Sequence, residues 1–78
     1  MLLYCFDIKS KDLKSYNTVK RRFYYHLAKL EHYKFAWNTK SVILIDDAQE
    51  LQFDLFFSKF KENLTLFKAY TQKMEQIY

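Results

Sequence analysis

Glycine and proline are both absent from the 78 residues, which removes most of the usual turn punctuation. Without glycine, a left-handed turn must fall to Asn or Asp, or be avoided altogether. The same absence excludes the Gly-rich loops that cradle phosphates in the standard nucleotide-binding motifs. Cysteine occurs once, at Cys5, so no disulfide framework is available and a reducing compartment is expected. One Cys and two His, His26 and His32, stand at spacings that match no conventional zinc site. No apolar run approaches the roughly 20 residues of a membrane span. The stretch Met1 to Phe6 is too short for the hydrophobic region of a signal peptide before Asp7 interrupts it. A soluble, cytoplasmic protein with no membrane partner is the expectation.

What the chain has in abundance is aromatic surface. Apolar residues make up 50% and aromatics 21%, while a chain of this size buries only about 60–65% of its surface on folding. Either the core is dense in Phe and Tyr, or a partner chain covers part of that surface. A homodimer is therefore expected. The formal charge of +4 is a mild basic bias that suits a polyanionic partner, RNA or DNA, without demanding one.

The length allows one domain. Leu2 to Ile8 is nearly all apolar and reads as a buried strand. Lys9 to Tyr16 is polar and reads as a loop, with Ser15 or Asn17 capping a helix whose apolar face is Val19, Phe23, Leu27 and Leu30. Glu31 to Lys34 breaks that pattern. A β region follows: Phe35-Ala36-Trp37, then Asn38-Thr39-Lys40 as a turn or a bend, then Ser41 to Ile45. Asp47 with Glu50 three residues on has the spacing of a capping box. It opens a second helix with a stripe of Phe53, Phe56, Phe57, Phe60 and Leu64, widened by Leu51 and Leu55. Leu64 to Tyr70 reads as a last strand. The order β-α-β-β-α-β predicts an α+β fold of ferredoxin-like type, an antiparallel sheet with two helices on one face. Residues 1–70 form the domain; residues 71–78 form a tail that is helical, disordered or paired across a dimer.

Chemistry has few places to sit. Asp7 ends an apolar strand, where a carboxylate is expensive to bury unless it is paired or metal-bound. The bland alternative is a solvated residue that opens the loop. Lys20-Arg21-Arg22 puts cations near the expected helix start, against the macrodipole, where free N–H groups and positive charge together suit a phosphate. On its own that cluster is more simply a solvated basic face. In a βαββαβ domain the end of strand one and the start of helix one share an edge. A carboxylate for a divalent metal would then stand beside cations for phosphates, which suits phosphodiester chemistry.

Three segments carry a resemblance: Leu3-Tyr4-Cys5-Phe6-Asp7-Ile8, the basic Lys20-Arg21-Arg22, and Lys40-Ser41-Val42 entering a strand. Together they look like the superfamily of small CRISPR-associated nucleases and virulence-associated protein D. The resemblance implies a ferredoxin-like homodimer with the two Asp7 side chains facing each other near the dyad, holding Mg²⁺ or Mn²⁺ for phosphodiester hydrolysis. It implies Ser41 in the same cleft as a second catalytic candidate. Arg21 and Arg22 would contact backbone phosphates, with Lys20 and Lys40 beside them. Members of the superfamily also serve as scaffolds, so a non-catalytic dimeric module that binds nucleic acid or protein is the alternative.

The remaining candidates are weaker. Trp37 and Tyr33 suit base stacking, although core or dimer packing is the commoner use. Cys5 reads as a small hydrophobe. Asp46 and Asp47 read as a helix cap before a metal site. His26 and His32 are six residues apart, off any shared helical face, and read as packing residues.

Overall fold

A computed structural model describes residues 1–30, 33 and 35–78. The break in pattern expected at Glu31 to Lys34 and the reading of His32 fall largely on Glu31, His32 and Lys34, which lie outside the described residues. The elements are β1 (Leu2–Ile8), α1 (Leu13–Ala28), β2 (Phe35–Thr39), β3 (Val42–Ile45), α2 (Glu50–Ser58) and β4 (Leu64–Tyr70). Single 3₁₀ turns, Asp47–Gln49 and Lys61–Asn63, flank α2. The strands form one antiparallel sheet in the order β2-β3-β1-β4. This is the α+β sandwich of ferredoxin-like type.

Alternation sorts the residues of β1. Leu2, Tyr4 and Phe6 are buried while Leu3 and Cys5 are half-covered, because successive side chains leave opposite faces of a strand. The buried set shares one cluster with Ile43 and Ile45 of β3, Phe23 and Leu27 of α1, and Phe53, Phe56, Phe57 and Phe60. Both helices therefore cover the same face. Val19 and Leu30 pack on its margin, completing the α1 stripe that the spacing indicates. Ring centroids 4.8 to 5.3 Å apart join Tyr4 to Phe57, Phe6 to Phe23, and Phe23 to Phe56 and Phe60. Such contacts add about 0.5–1.5 kcal/mol per pair beyond area burial.

Several boundaries differ from expectation. The stretch read as loop from Lys9 to Tyr16 contains the start of α1, because Asp12 rather than Ser15 or Asn17 is the N-cap and its carboxylate accepts from the Ser15 amide at 2.8 Å. Lys20, Arg21 and Arg22 consequently sit about two turns into the helix, beyond reach of its free N–H groups. These cations and the helix-end N–H groups therefore do not form one phosphate site. The capping box is also replaced. Asp46 caps the 3₁₀ turn through the Ala48 amide, Asp47 pairs with the N-terminal ammonium at 2.9 Å, and Glu50 turns to Lys68. Leu51 and Leu55 do not widen the α2 stripe; they are 65% and 57% exposed, on the side away from the phenylalanines.

No described residue has a positive φ, so left-handed turns are avoided throughout the described residues. The β2–β3 corner at Lys40 and Ser41 shows how. A two-residue hairpin normally needs positive φ to match strand twist. Here the register shifts between Trp37 and Thr39, and the bulge at Asn38 takes up the mismatch. β2 thus runs on to Thr39, past the Phe35-Ala36-Trp37 expected for it. After β4 the chain forms no further strand. Thr71 exchanges backbone hydrogen bonds with Met1, and the Asn38 amide donates to Met74 Sδ at 2.9 Å.

Candidate nucleic-acid interface

The end of β1, the middle of α1 and the β2–β3 corner converge at one edge. The Phe6 amide donates to the Ser41 carbonyl at 2.9 Å, which seats the corner against the end of β1. From α1, Tyr16, Lys20 and Tyr24 follow one another at intervals of four, so all three share a face. That face meets the corner where the Tyr24 hydroxyl donates to the Lys40 carbonyl at 3.3 Å. A cavity of about 190 Å³ results, lined by Phe6, Asp7, Ile8, Tyr16, Lys20, Tyr24, Lys40 and Ser41. A wider groove of about 530 Å³, lined by Lys20, Tyr24, Trp37, Thr39 and Lys40, adjoins it. Lys20, Tyr24 and Lys40 belong to both.

Four of the sequence candidates are thereby brought together: Asp7, Lys20, Lys40 and Ser41. Arg21 and Arg22 are exposed on α1 but line neither space. Asp7 is exposed at the strand end rather than buried. Among the described residues, neither it nor Lys20 or Lys40 forms an ion pair. The Lys20 ammonium lies 5.9 Å from the Tyr16 ring centroid, a contact that leaves its charge unneutralised. Burial, with the nearby Tyr16, pushes the Tyr24 hydroxyl above its ordinary pKa, so Tyr24 stays a neutral donor at physiological pH.

The metal reading meets a limit within one chain. Hard divalent cations take six or more oxygen ligands, and Mg²⁺ is commonly held by one or two carboxylates plus substrate phosphates. The residues lining the cavity offer one carboxylate, Asp7, and three neutral hydroxyls, Ser41, Tyr16 and Tyr24, beside two ammonium groups. No group of three or more His, Cys, Asp or Glu suited to a metal exists among the described residues. One chain does not fit a resident Mg²⁺ or Mn²⁺; its donor set fits an anion better.

A second polar cluster lies at the opposite edge of the sheet, between α2 and β4, and is not legible in the sequence as a site. The Tyr4 ring is buried, but its hydroxyl reaches a cavity of about 450 Å³ and donates to Asp54 Oδ1 at 2.5 Å. Lys68 Nζ contacts Asp54 Oδ2 at 2.9 Å and Glu50 Oε2 at 2.6 Å, and the Tyr70 hydroxyl also donates to Glu50. Burial, then the Asp54 hydrogen bond, drives the Tyr4 hydroxyl well above its ordinary pKa. Burial opposes ionisation of Asp54, yet hydrogen bonds from Tyr4 and Lys68 outweigh it and hold the carboxyl below the ordinary range. The bonds from Lys68 and Tyr70 do the same for Glu50. Glu50 and Asp54 both pair with Lys68, so the cluster clamps α2 onto edge strand β4; Lys61, which lines the same cavity, forms no ion pair among the described residues.

Comparison with protein-family models, with curated proteins and with solved structures finds no match to this chain. No helix among the described residues is long and apolar enough to cross a membrane.

Proposed function

We propose that this chain binds nucleic acid along the groove between α1 and the β2–β3 corner, with Lys20 and Lys40 on backbone phosphates. The observation that carries this reading is the pair of lysines shared by two adjoining spaces, unpaired among the described residues. Cations that lack carboxylate partners in the fold exchange only water and counterions for a phosphate, and counterion release then drives binding. The test is fluorescence anisotropy with labelled RNA and DNA. Lys20→Ala with Lys40→Ala should weaken binding to every sequence, and unchanged affinity would remove the groove from the account.

A second reading is favoured by one further observation: the Asp7 carboxylate and Ser41 line the same cavity as the two lysines. That placement supports metal-dependent phosphodiester hydrolysis by a homodimer, in which a second Asp7 would add the carboxylate that one chain lacks. Asp7→Asn keeps the shape and removes the charge. Cleavage of labelled RNA or DNA in Mg²⁺ or Mn²⁺ should then fall by orders of magnitude and should stop on chelation. Cleavage that survives both treatments would exclude Asp7, and binding without cleavage leaves the non-catalytic scaffold.

The homodimer itself is supported by one apolar surface. The sheet face opposite the helices carries the half-covered Leu3, Cys5, Val42 and Leu44 and the 70% exposed Phe67.

A further inference from the structure

Trp37 is the single tryptophan and stands at the rim of the basic groove. As a core residue it would be covered, but 46% of it is exposed. Its indole is nonetheless braced. Phe6 and Phe35 meet it edge-on at 6.1 and 6.2 Å, and Tyr24 lies 6.1 Å away at an interplanar angle of 35°. Tyr24 is itself tied down through the Lys40 carbonyl. A large flat side chain, supported from below and open on the other side, is a stacking platform whose ordering cost is already met by the fold. Trp37 lines the same groove as Lys20 and Lys40.

Resting on the nucleic-acid reading above, we infer that the groove takes single-stranded nucleic acid, with an unpaired base stacked on Trp37 and flanking phosphates on Lys20 and Lys40. The chemistry discriminates against a duplex. Paired bases are already stacked on their neighbours and turn only their edges outward, so the face of Trp37 finds no partner there. A single strand can splay a base out and turn its own face to the indole. Every base has such a face, so the site should show little sequence preference.

The lone tryptophan is also the reporter. Labelled single strands of about ten nucleotides, oligo-dT and oligo-U, are compared with a duplex of equal length at low salt, by anisotropy and by Trp37 emission. The single strands should bind more tightly than the duplex and quench the emission. Trp37→Ala should weaken single-strand binding by roughly five- to a hundredfold, while Trp37→Phe, which keeps a smaller platform, should recover part of it. Circular dichroism shows whether each variant is folded, and quenching in the unmodified chain needs no variant at all. Strands bound without a change in emission, or a duplex bound as tightly, would overturn the stacking inference and leave phosphate binding standing. If neither strand form binds at low salt, the nucleic-acid reading falls together with it.

Discussion

Tyr4 and Lys20 show how differently two polar side chains can be used in one small sandwich. Tyr4 places its hydroxyl inside the Asp54–Lys68–Glu50 cluster, whereas Lys20 lines the groove and forms no ion pair among the described residues. The first arrangement sets a pH window. Asp54 and Glu50 are held below their ordinary values of 3.8 and 4.5, so their contribution is complete above those values and is lost as pH falls through the depressed ones. Tyr4 and Lys68 are held above 10.0 and 10.5, so theirs is complete below those values and is lost as pH rises through the raised ones. Urea unfolding against pH should therefore show a plateau between the two limits with a fall on each side. Tyr4→Phe should cost about 1–2 kcal/mol on the plateau and soften the alkaline fall. An unaltered alkaline limb would mean that the hydroxyl bond does not persist in solution. None of this network was legible from sequence, since Tyr4, Glu50, Asp54 and Lys68 meet only when β1, α2 and β4 are assembled. The groove was half legible. Residue type and position point to Asp7, Ser41, Lys20 and Lys40, whereas for Tyr16 and Tyr24 the one signal is a spacing from Lys20 that places them on its face.

Among the elements, the strands and the α2 stripe were the most readable. The alternation of β1 and the spacing of Phe53, Phe56, Phe57 and Phe60 are imposed by burial, and burial leaves a periodic trace. Ends were harder to read, because in a chain without glycine or proline a helix start is marked by one capping side chain alone. Asp12 does that for α1, and the polar run around it disguised the first turn as loop. With the cap at Asp12 rather than at Ser15 or Asn17, Lys20 is a mid-helix cation lining the groove and not a cation at the helix end. Asp12→Ala should destabilise the fold by about 1 kcal/mol, read as a lower denaturant midpoint with unchanged slope. Asp12→Asn, which also caps well, should recover most of the loss. Equal losses from both would assign the effect to charge rather than to the cap.

At the scale of the molecule, the radius of gyration is 13.0 Å, against about 11.5 Å for a compact chain of this length. The smallest extent, 18 Å, is that of one sheet carrying one helical layer. This shape supports the proposal of a second copy of the chain on the other sheet face. Sedimentation equilibrium is expected to return twice the 9.7 kDa of the chain; a monomer throughout the micromolar range would withdraw the homodimer and the paired Asp7 with it. The central claim, that phosphates sit on Lys20 and Lys40, is tested most directly by the salt dependence of binding. Each phosphate contact on a single strand contributes about −0.7 to the slope of log affinity against log salt. Replacing both lysines with alanine should make that slope shallower by about 1.4 per chain, with Arg21→Ala and Arg22→Ala changing it less. A slope unchanged by the double lysine replacement, with binding retained, would place the nucleic acid elsewhere and contradict the account.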